Sequence, residues 1–205
     1  MISLVKNIIR SRYERKGPVS YILNRGEFPY ILNKKGLLGF GVEVGVKHGG
    51  FSEYLLQHWR GRCLVSVDAW RSFASDEYRD LANVSQEEFD RIYENTSRRL
   101  GVFGERSRIM RCLSVEAAAT FPDRYFDFVY LDARHDYDGV MEDLIAWAPK
   151  ICEGGVLAGH DYLNGVYDNT EFGVKKAVDE YADARNWRVC VSRREPIYKS
   201  WFIFI

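Results

Sequence analysis

The sequence contains no pair of cysteines two residues apart. Cys63, Cys112, Cys152 and Cys190 stand far from one another. That spacing offers neither a zinc ribbon nor a disulfide framework. Three of the four lie in or beside apolar runs, where a thiol acts as a small buried hydrophobe in a reducing compartment. Net charge is also lacking, since 29 basic residues balance 29 acidic ones. This balance argues against a general electrostatic grip on nucleic acid or an anionic membrane. Long apolar runs are missing too. Met1–Ile9 is apolar but short and soon followed by charges, so neither a signal peptide nor a membrane span is expected, and the expected location is the cytoplasm. Internal repeats and low-complexity tracts are absent. The one local imbalance is the basic run over residues 6–35, which reads as a solvated face or a partner-binding surface.

Against these absences stands one glycine-rich stretch on which the chain is organised. Gly41–Leu56 reads GVEVGVKHGGFSEYLL, an apolar run followed by glycines at 45, 49 and 50 and an amphipathic segment. This order makes a strand, a tight turn and a helix start, which presents backbone N–H groups to a nucleotide-like ligand. The dinucleotide fingerprint G-x-G-x-x-G is not met. Instead the stretch reads acidic-x-Gly-x-x-x-Gly, with Glu43, Gly45 and Gly49. A carboxylate there would repel a pyrophosphate but suits a cation, such as the sulfonium and amino group of S-adenosylmethionine. On those residues the stretch resembles motif I of class I S-adenosylmethionine-dependent methyltransferases. Asp68 ends the next apolar run, about 20 residues beyond the turn, where a ribose diol is held by paired hydrogen bonds. Ser66-Val67-Asp68-Ala69-Trp70 accordingly fits motif II of those enzymes, with Trp70 beside the adenosine. The plainer alternatives are a glycine turn without this ligand and an Asp that merely closes a strand.

Periodicity gives the remaining elements. Ile2, Val5, Ile8 and Ile9 suggest an N-terminal helix, and Val19–Leu32 a second short helix or a lid. Strands are expected at Leu37–Val44, Cys63–Val67, Arg108–Leu113, Phe126–Leu131, Gly154–Ala158, Val189–Val191 and Trp201–Ile205. Ser52 is a candidate cap for the helix after the glycine turn, and Ser114 for a helix reaching about Phe121. Ser85–Glu88 matches a capping box for a helix through Leu100, read as a substrate-side lid or a plain surface helix. Strands alternating with helices predict an α/β, doubly wound, mostly parallel seven-stranded sheet covered on both faces. Residues 1–36 are expected to form an N-terminal helical extension or lid, and 37–205 the cofactor-binding domain. Glu43, Asp68, Ser114, Asp132 and Asp161 each fall at a strand end, so they should line one rim.

Two strand ends carry polar clusters: Asp132-Ala133-Arg134-His135-Asp136-Tyr137 and Gly159-His160-Asp161-Tyr162. Together they bring carboxylates and imidazoles toward one pocket. Their pattern, with the glycine turn, resembles the small class I O-methyltransferases related to macrocin and catechol O-methyltransferases over about residues 38–165. The resemblance implies that Asp132, His160 and Asp161 hold a divalent cation, magnesium or another metal. It also implies that His135 deprotonates the acceptor hydroxyl beside Asp132, and that the Ser114 corner touches the adenine. One departure matters: His160 stands where the magnesium enzymes generally carry a carboxylate, and magnesium prefers oxygen. Either the metal differs, or Asp132 and Asp161 suffice, or no metal is used.

The expected partner is therefore a small molecule bearing a hydroxyl, a sugar, phenol or natural product, with neither nucleic acid nor membrane and with a homodimer as the assembly to test. The fourth strand ends in Leu-Asp-Ala-Arg rather than an Asn/Asp-Pro-Pro-aromatic motif, against a nucleobase or glutamine N-methyltransferase. A nicotinamide oxidoreductase would need another glycine pattern. The remaining alternative is a non-catalytic module that binds S-adenosylmethionine for interaction or regulation. Arg71 and Arg134 would suit an acidic acceptor, and Trp70, Phe73, Tyr78, Phe89, Tyr162 and Tyr167 are candidate acceptor contacts.

Overall fold

The computed structural model describes residues 22–73, 83–167 and 170–205. The expected helix over residues 2–12, and Tyr78, lie outside them. Strands β1 (Phe40–Val44), β2 (Cys63–Asp68), β3 (Ser107–Arg111), β4 (Phe126–Leu131), β5 (Ile151–Gly159), β8 (Val189–Val191) and β9 (Trp201–Phe204) form one sheet in the order β3-β2-β1-β4-β5-β9-β8. β1 to β5 pair in parallel, while β9 is antiparallel to both β5 and β8. β6 (Gly165–Tyr167) and β7 (Thr170–Phe172) make a separate small hairpin that no apolar run announces.

Helices cover both faces because alternate strand residues point to opposite sides. Val42, Val44, Val129, Leu131 and Leu157 pack one way. They meet α4 (Ser114–Ala119), α5 (Tyr137–Trp147) and α6 (Val174–Asp183). Leu64, Phe128, Tyr130, Val156 and Phe202 face α1 (Phe28–Lys35), α2 (Gly50–His58) and α3 (Gln86–Gly101). In α1, Phe28 is wholly buried, its ring 5.2 Å from Phe128 and 5.3 Å from Phe202. The opposing Gly41 leaves that room, since a Cβ there would lie 2.1 Å from the Phe128 ring.

Two expected caps act differently. Gly49, at φ 73, caps α2, so Ser52 sits inside the helix and turns inward. Leu113 precedes α4, and the Ser114 hydroxyl goes to α5 instead. Ser85 does cap α3 through the Glu88 N–H at 3.2 Å. Phe89, Ile92, Thr96 and Leu100 bury that helix against the sheet layer, and of these Phe89 reaches the cavity described next.

Candidate active site

The parallel strands end on one rim, and the strand order reverses between β1 and β4, where a crevice must open. A cavity of about 630 Å³ lies there, within the range of small-molecule sites. Its floor is the turn after β1. Gly45, at φ 88, donates its N–H to Val67 at 2.8 Å. A Cβ on it would come 2.0 Å from the Asp132 carbonyl oxygen, so the β1 and β4 ends meet only through hydrogen. Asp68 braces the same turn. Its Oδ2 accepts from Val46 and Lys47 N–H at 2.9 and 2.8 Å, and its Oδ1 from Trp70 N–H at 2.8 Å.

Glu43 stands on β1 in the cavity wall, 2% exposed, accepting from Ser52 Oγ, which also pairs with Ser66 Oγ at 2.9 Å. Burial, against the Ser52 hydrogen bond, pushes its carboxyl up to about 8. Burial therefore favours the neutral form of Glu43 in this turn.

Trp70 corrects another expectation. Its backbone is left-handed (φ 40), its indole N–H donates to the Lys47 carbonyl at 2.9 Å, and its fully buried ring packs on Tyr93 at 5.0 Å. It stabilises the turn from behind and does not wall the cavity. Ser114 does wall it, but its hydroxyl donates to Asp143 and accepts from Trp147 Nε1 at 2.8 Å. Asp143 is buried, and burial pushes its carboxyl up to about 7.

At the other end the two polar clusters meet. His135 Nε2 lies 3.0 Å from Asp161 Oδ2, and His160 Nδ1 lies 2.8 Å from Asp161 Oδ1. Burial works against the Asp161 charge, yet hydrogen bonds from His135 and His160 outweigh it and hold the carboxyl well below the usual range. Burial also opposes the His160 cation, but Asp161 and Asp132 raise its affinity for a proton. Asp161 adopts a left-handed backbone at φ 53, and its carboxylate meets both rings. Asp132 sits in the cavity wall with burial raising its pKa; Arg25 Nη1 is 3.5 Å from its Oδ2.

Asp132, His135 and Asp161 place one ligand atom each within 4.8 Å of one another. His160 Nδ1 faces the same two carboxylates, 2.8 Å from Asp161 Oδ1 and 3.9 Å from Asp132 Oδ1. Both imidazoles also wall a small space beside Val174 and Trp201.

Arg25 is the residue that sequence reasoning missed. Its guanidinium lies 5.1 Å above the Phe51 ring and walls the cavity. Its backbone is tied to Glu195 at 3.0 Å, and Ile22 and Leu23 dock on Arg193 and Arg194. The only signal was its place in the basic run. Among the aromatic candidates, Phe73 and Phe89 reach the cavity, whereas Tyr162 is buried on Asp179 and Tyr167 is exposed on the hairpin.

A sequence model described as a methyltransferase domain matches residues 42–162, more than half of the chain. No curated protein matches it. An O-methyltransferase from Bacillus cereus, solved in complex with SAH, is 16% identical at a TM-score of 0.61, with 99% of this chain and 91% of that chain covered. A SAM-dependent methyltransferase from Aquifex aeolicus is 14% identical at a TM-score of 0.59, covering 89% of this chain and 90% of that one. The 1,6-didemethyltoxoflavin-N1-methyltransferase of Burkholderia thailandensis, with bound S-adenosylhomocysteine, is 14% identical at a TM-score of 0.54, covering 86% and 75%. At these identities the likeness shows the fold, which is the Rossmann-like fold of class I methyltransferases.

Proposed function

The chain belongs to the methyltransferase-domain family, and from that premise we propose that it methylates a hydroxyl of a small molecule using S-adenosylmethionine, with His135 as general base. The observation that carries this reading is the 3.0 Å contact of His135 with Asp161 in the wall of the cavity that holds the glycine turn. The cavity suits the cofactor on its own features. It has a turn that admits no Cβ at Gly45, a carboxyl at Glu43 that a sulfonium or ammonium would ionise, and, in its wall, Asp68, the residue proposed for the ribose.

When bound, S-adenosylmethionine supplies an electrophilic methyl group on a positively charged sulfur. The protein's part is to place the acceptor oxygen in line and take its proton. As the O–CH3 bond forms and the S–CH3 bond breaks, the hydroxyl proton would pass to the His135 imidazole, leaving a neutral thioether and an imidazolium facing the Asp161 carboxylate. An unperturbed imidazole titrates at about 6.5 and so accepts protons near neutrality.

The ligand distances within Asp132, His135 and Asp161 favour a second reading, a divalent cation held by those three. Two carboxylates and an imidazole fit manganese, iron or zinc better than magnesium. Such an ion would make the acceptor hydroxyl a stronger acid. His135 would then be a ligand rather than the base, and Arg25 beside Asp132 stands against the added charge.

The test is methyl transfer from S-adenosylmethionine to a panel of phenols and sugars, with and without EDTA. Transfer that survives chelation and falls by about 10²–10⁴-fold in His135→Ala, with cofactor affinity kept, supports the general base. Loss on chelation with recovery on adding manganese supports the metal. Unchanged turnover in His135→Ala removes that residue from the chemistry.

A further inference from the structure

The segment that precedes the sheet delivers a cation into the cavity and is tied down on several sides. Arg25 opens a single helical turn, Arg25–Glu27, capped by Asn24, whose Oδ1 accepts from Gly26 N–H at 2.9 Å. Glu27 accepts from Leu23 N–H at 2.7 Å, and Tyr54 on α2 donates to the Gly26 carbonyl at 3.0 Å. Glu195 fastens the same turn to the far end of the chain. One of its oxygens accepts from Arg25 N–H at 3.0 Å and the other from Ser200 N–H at 2.9 Å.

The side chain aimed by this turn lies over the Phe51 ring at 5.1 Å, with Nη1 3.5 Å from Asp132 Oδ2. That separation is long for a charge-assisted hydrogen bond, which closes at about 2.7–2.9 Å. Tyr130 and Asp132 engage only part of a fork that carries several N–H donors. Its charge persists at every working pH. Arg25, Asp132, His135 and Asp161 all wall the cavity, and Asp132 has a ligand atom within 4.8 Å of one on His135 and on Asp161. Asp132 is thus the neighbour that the guanidinium and the imidazole share.

A hydroxyl that gives its proton to His135 gathers negative charge on oxygen beside two carboxylates, which oppose it. A phenol ionises at about 10 and an imidazole at about 6.5, so the transfer is uphill by about three powers of ten. A fixed positive group aimed at that oxygen lowers the barrier. Resting on the general-base reading, we propose that Arg25 is a second catalytic residue, its guanidinium donating to the acceptor oxygen as His135 takes the proton. The proton goes to His135, the O–CH3 bond forms and the S–CH3 bond breaks; Arg25 gives up neither proton nor electrons. Glu195 is its positioning residue. The unit over residues 37–205 is then incomplete without the turn that carries Arg25.

The experiment follows methyl transfer from S-adenosylmethionine to unsubstituted phenol and to 4-nitrophenol, with EDTA throughout. Arg25→Ala should lower kcat on phenol by about 100-fold or more. Its affinity for S-adenosylhomocysteine, read by calorimetry, should stay within about threefold of wild type. The loss should be smaller on 4-nitrophenol, whose proton leaves more readily. Added guanidinium at millimolar concentration should restore part of the rate on phenol, and Arg25→Lys should lie between. Glu195→Ala should lower kcat yet cost nothing further in the Arg25→Ala background, and full additivity removes its positioning role. An Arg25→Ala rate within about threefold of wild type, or an equal loss on both phenols, overturns the inference. Loss of S-adenosylhomocysteine binding in Arg25→Ala also overturns it, because the guanidinium then serves the cofactor. Wild-type transfer that EDTA abolishes does so too, since a metal then supplies the charge, as does folded wild type that methylates neither phenol. The general-base reading fails separately, by unchanged turnover in His135→Ala.

Discussion

A carboxyl that is 2% exposed and bonded to a serine favours its neutral form, and burial pushes Glu43 up to about 8. A sulfonium or ammonium beside it lowers that value, so binding below pH 8 releases a proton. Affinity for S-adenosylmethionine should therefore rise from about pH 6 to about pH 8 and level off above it. Glu43→Gln should bind more weakly and with a flatter profile. Titrations across this range check it, and a flat wild-type profile would contradict the role given to Glu43. Asp161 permits a second prediction at this scale. Asp161→Asn cannot hold the imidazole in the same tautomer with the same charge, so turnover should drop at least about 100-fold while S-adenosylhomocysteine affinity stays within error. Steady-state rates set beside calorimetry separate the two.

At the scale of elements, the β1 turn and the β4 end fit together through one missing methyl. Gly45→Ala would place a Cβ 2.0 Å from the Asp132 carbonyl oxygen, and relief must come from moving a strand end. The expected loss is about 1–3 kcal/mol in urea unfolding, together with weakened cofactor binding. Gly154 is the control. It shares a positive φ of 81 but has nothing within 4 Å of its Cβ position. Gly154→Ala should lose only about 1–2 kcal/mol of backbone strain and leave binding untouched. The glycine turn and the seven strands were legible in the sequence because parallel strands buried on both faces need near-continuous apolar runs. The hairpin Gly165–Phe172 was not, since the three residues of β6 are all exposed and leave no apolar run to read. The caps misread for a related reason: Ser52 and Ser114 have cap chemistry, but Glu43 and Asp143 take their hydroxyls once the sheet is assembled.

Across the whole molecule, the buried carboxyls set opposite slopes of stability with pH. Glu43 and Asp143 have folded pKa values of about 8 and about 7, above their unfolded values of 4.5 and 3.8. Between those limits the folded state holds protons that the unfolded chain has lost, so stability falls as pH rises through that window. Asp161 is depressed from 3.8, and its contribution is lost as pH falls below that value. Thermal stability of the cofactor-free protein should thus peak at mildly acid pH. Glu43→Gln should reduce the decline toward pH 8, and an unchanged decline would contradict the burial argument. The rim of strand ends was also legible, as Glu43, Asp68, Ser114, Asp132 and Asp161 all wall one cavity. That both imidazoles meet one carboxylate was not, because Asp161 turns through a left-handed φ that spacing along a strand cannot reveal. Arg25 was hidden because residues distant in sequence, Arg193 to Glu195, dock the segment that carries it. The most direct test of the account is titration of the purified chain with S-adenosylmethionine near pH 8. One equivalent should bind, and Asp68→Ala should weaken it by at least about tenfold. Folded protein that takes up no S-adenosylmethionine would contradict the account at its centre.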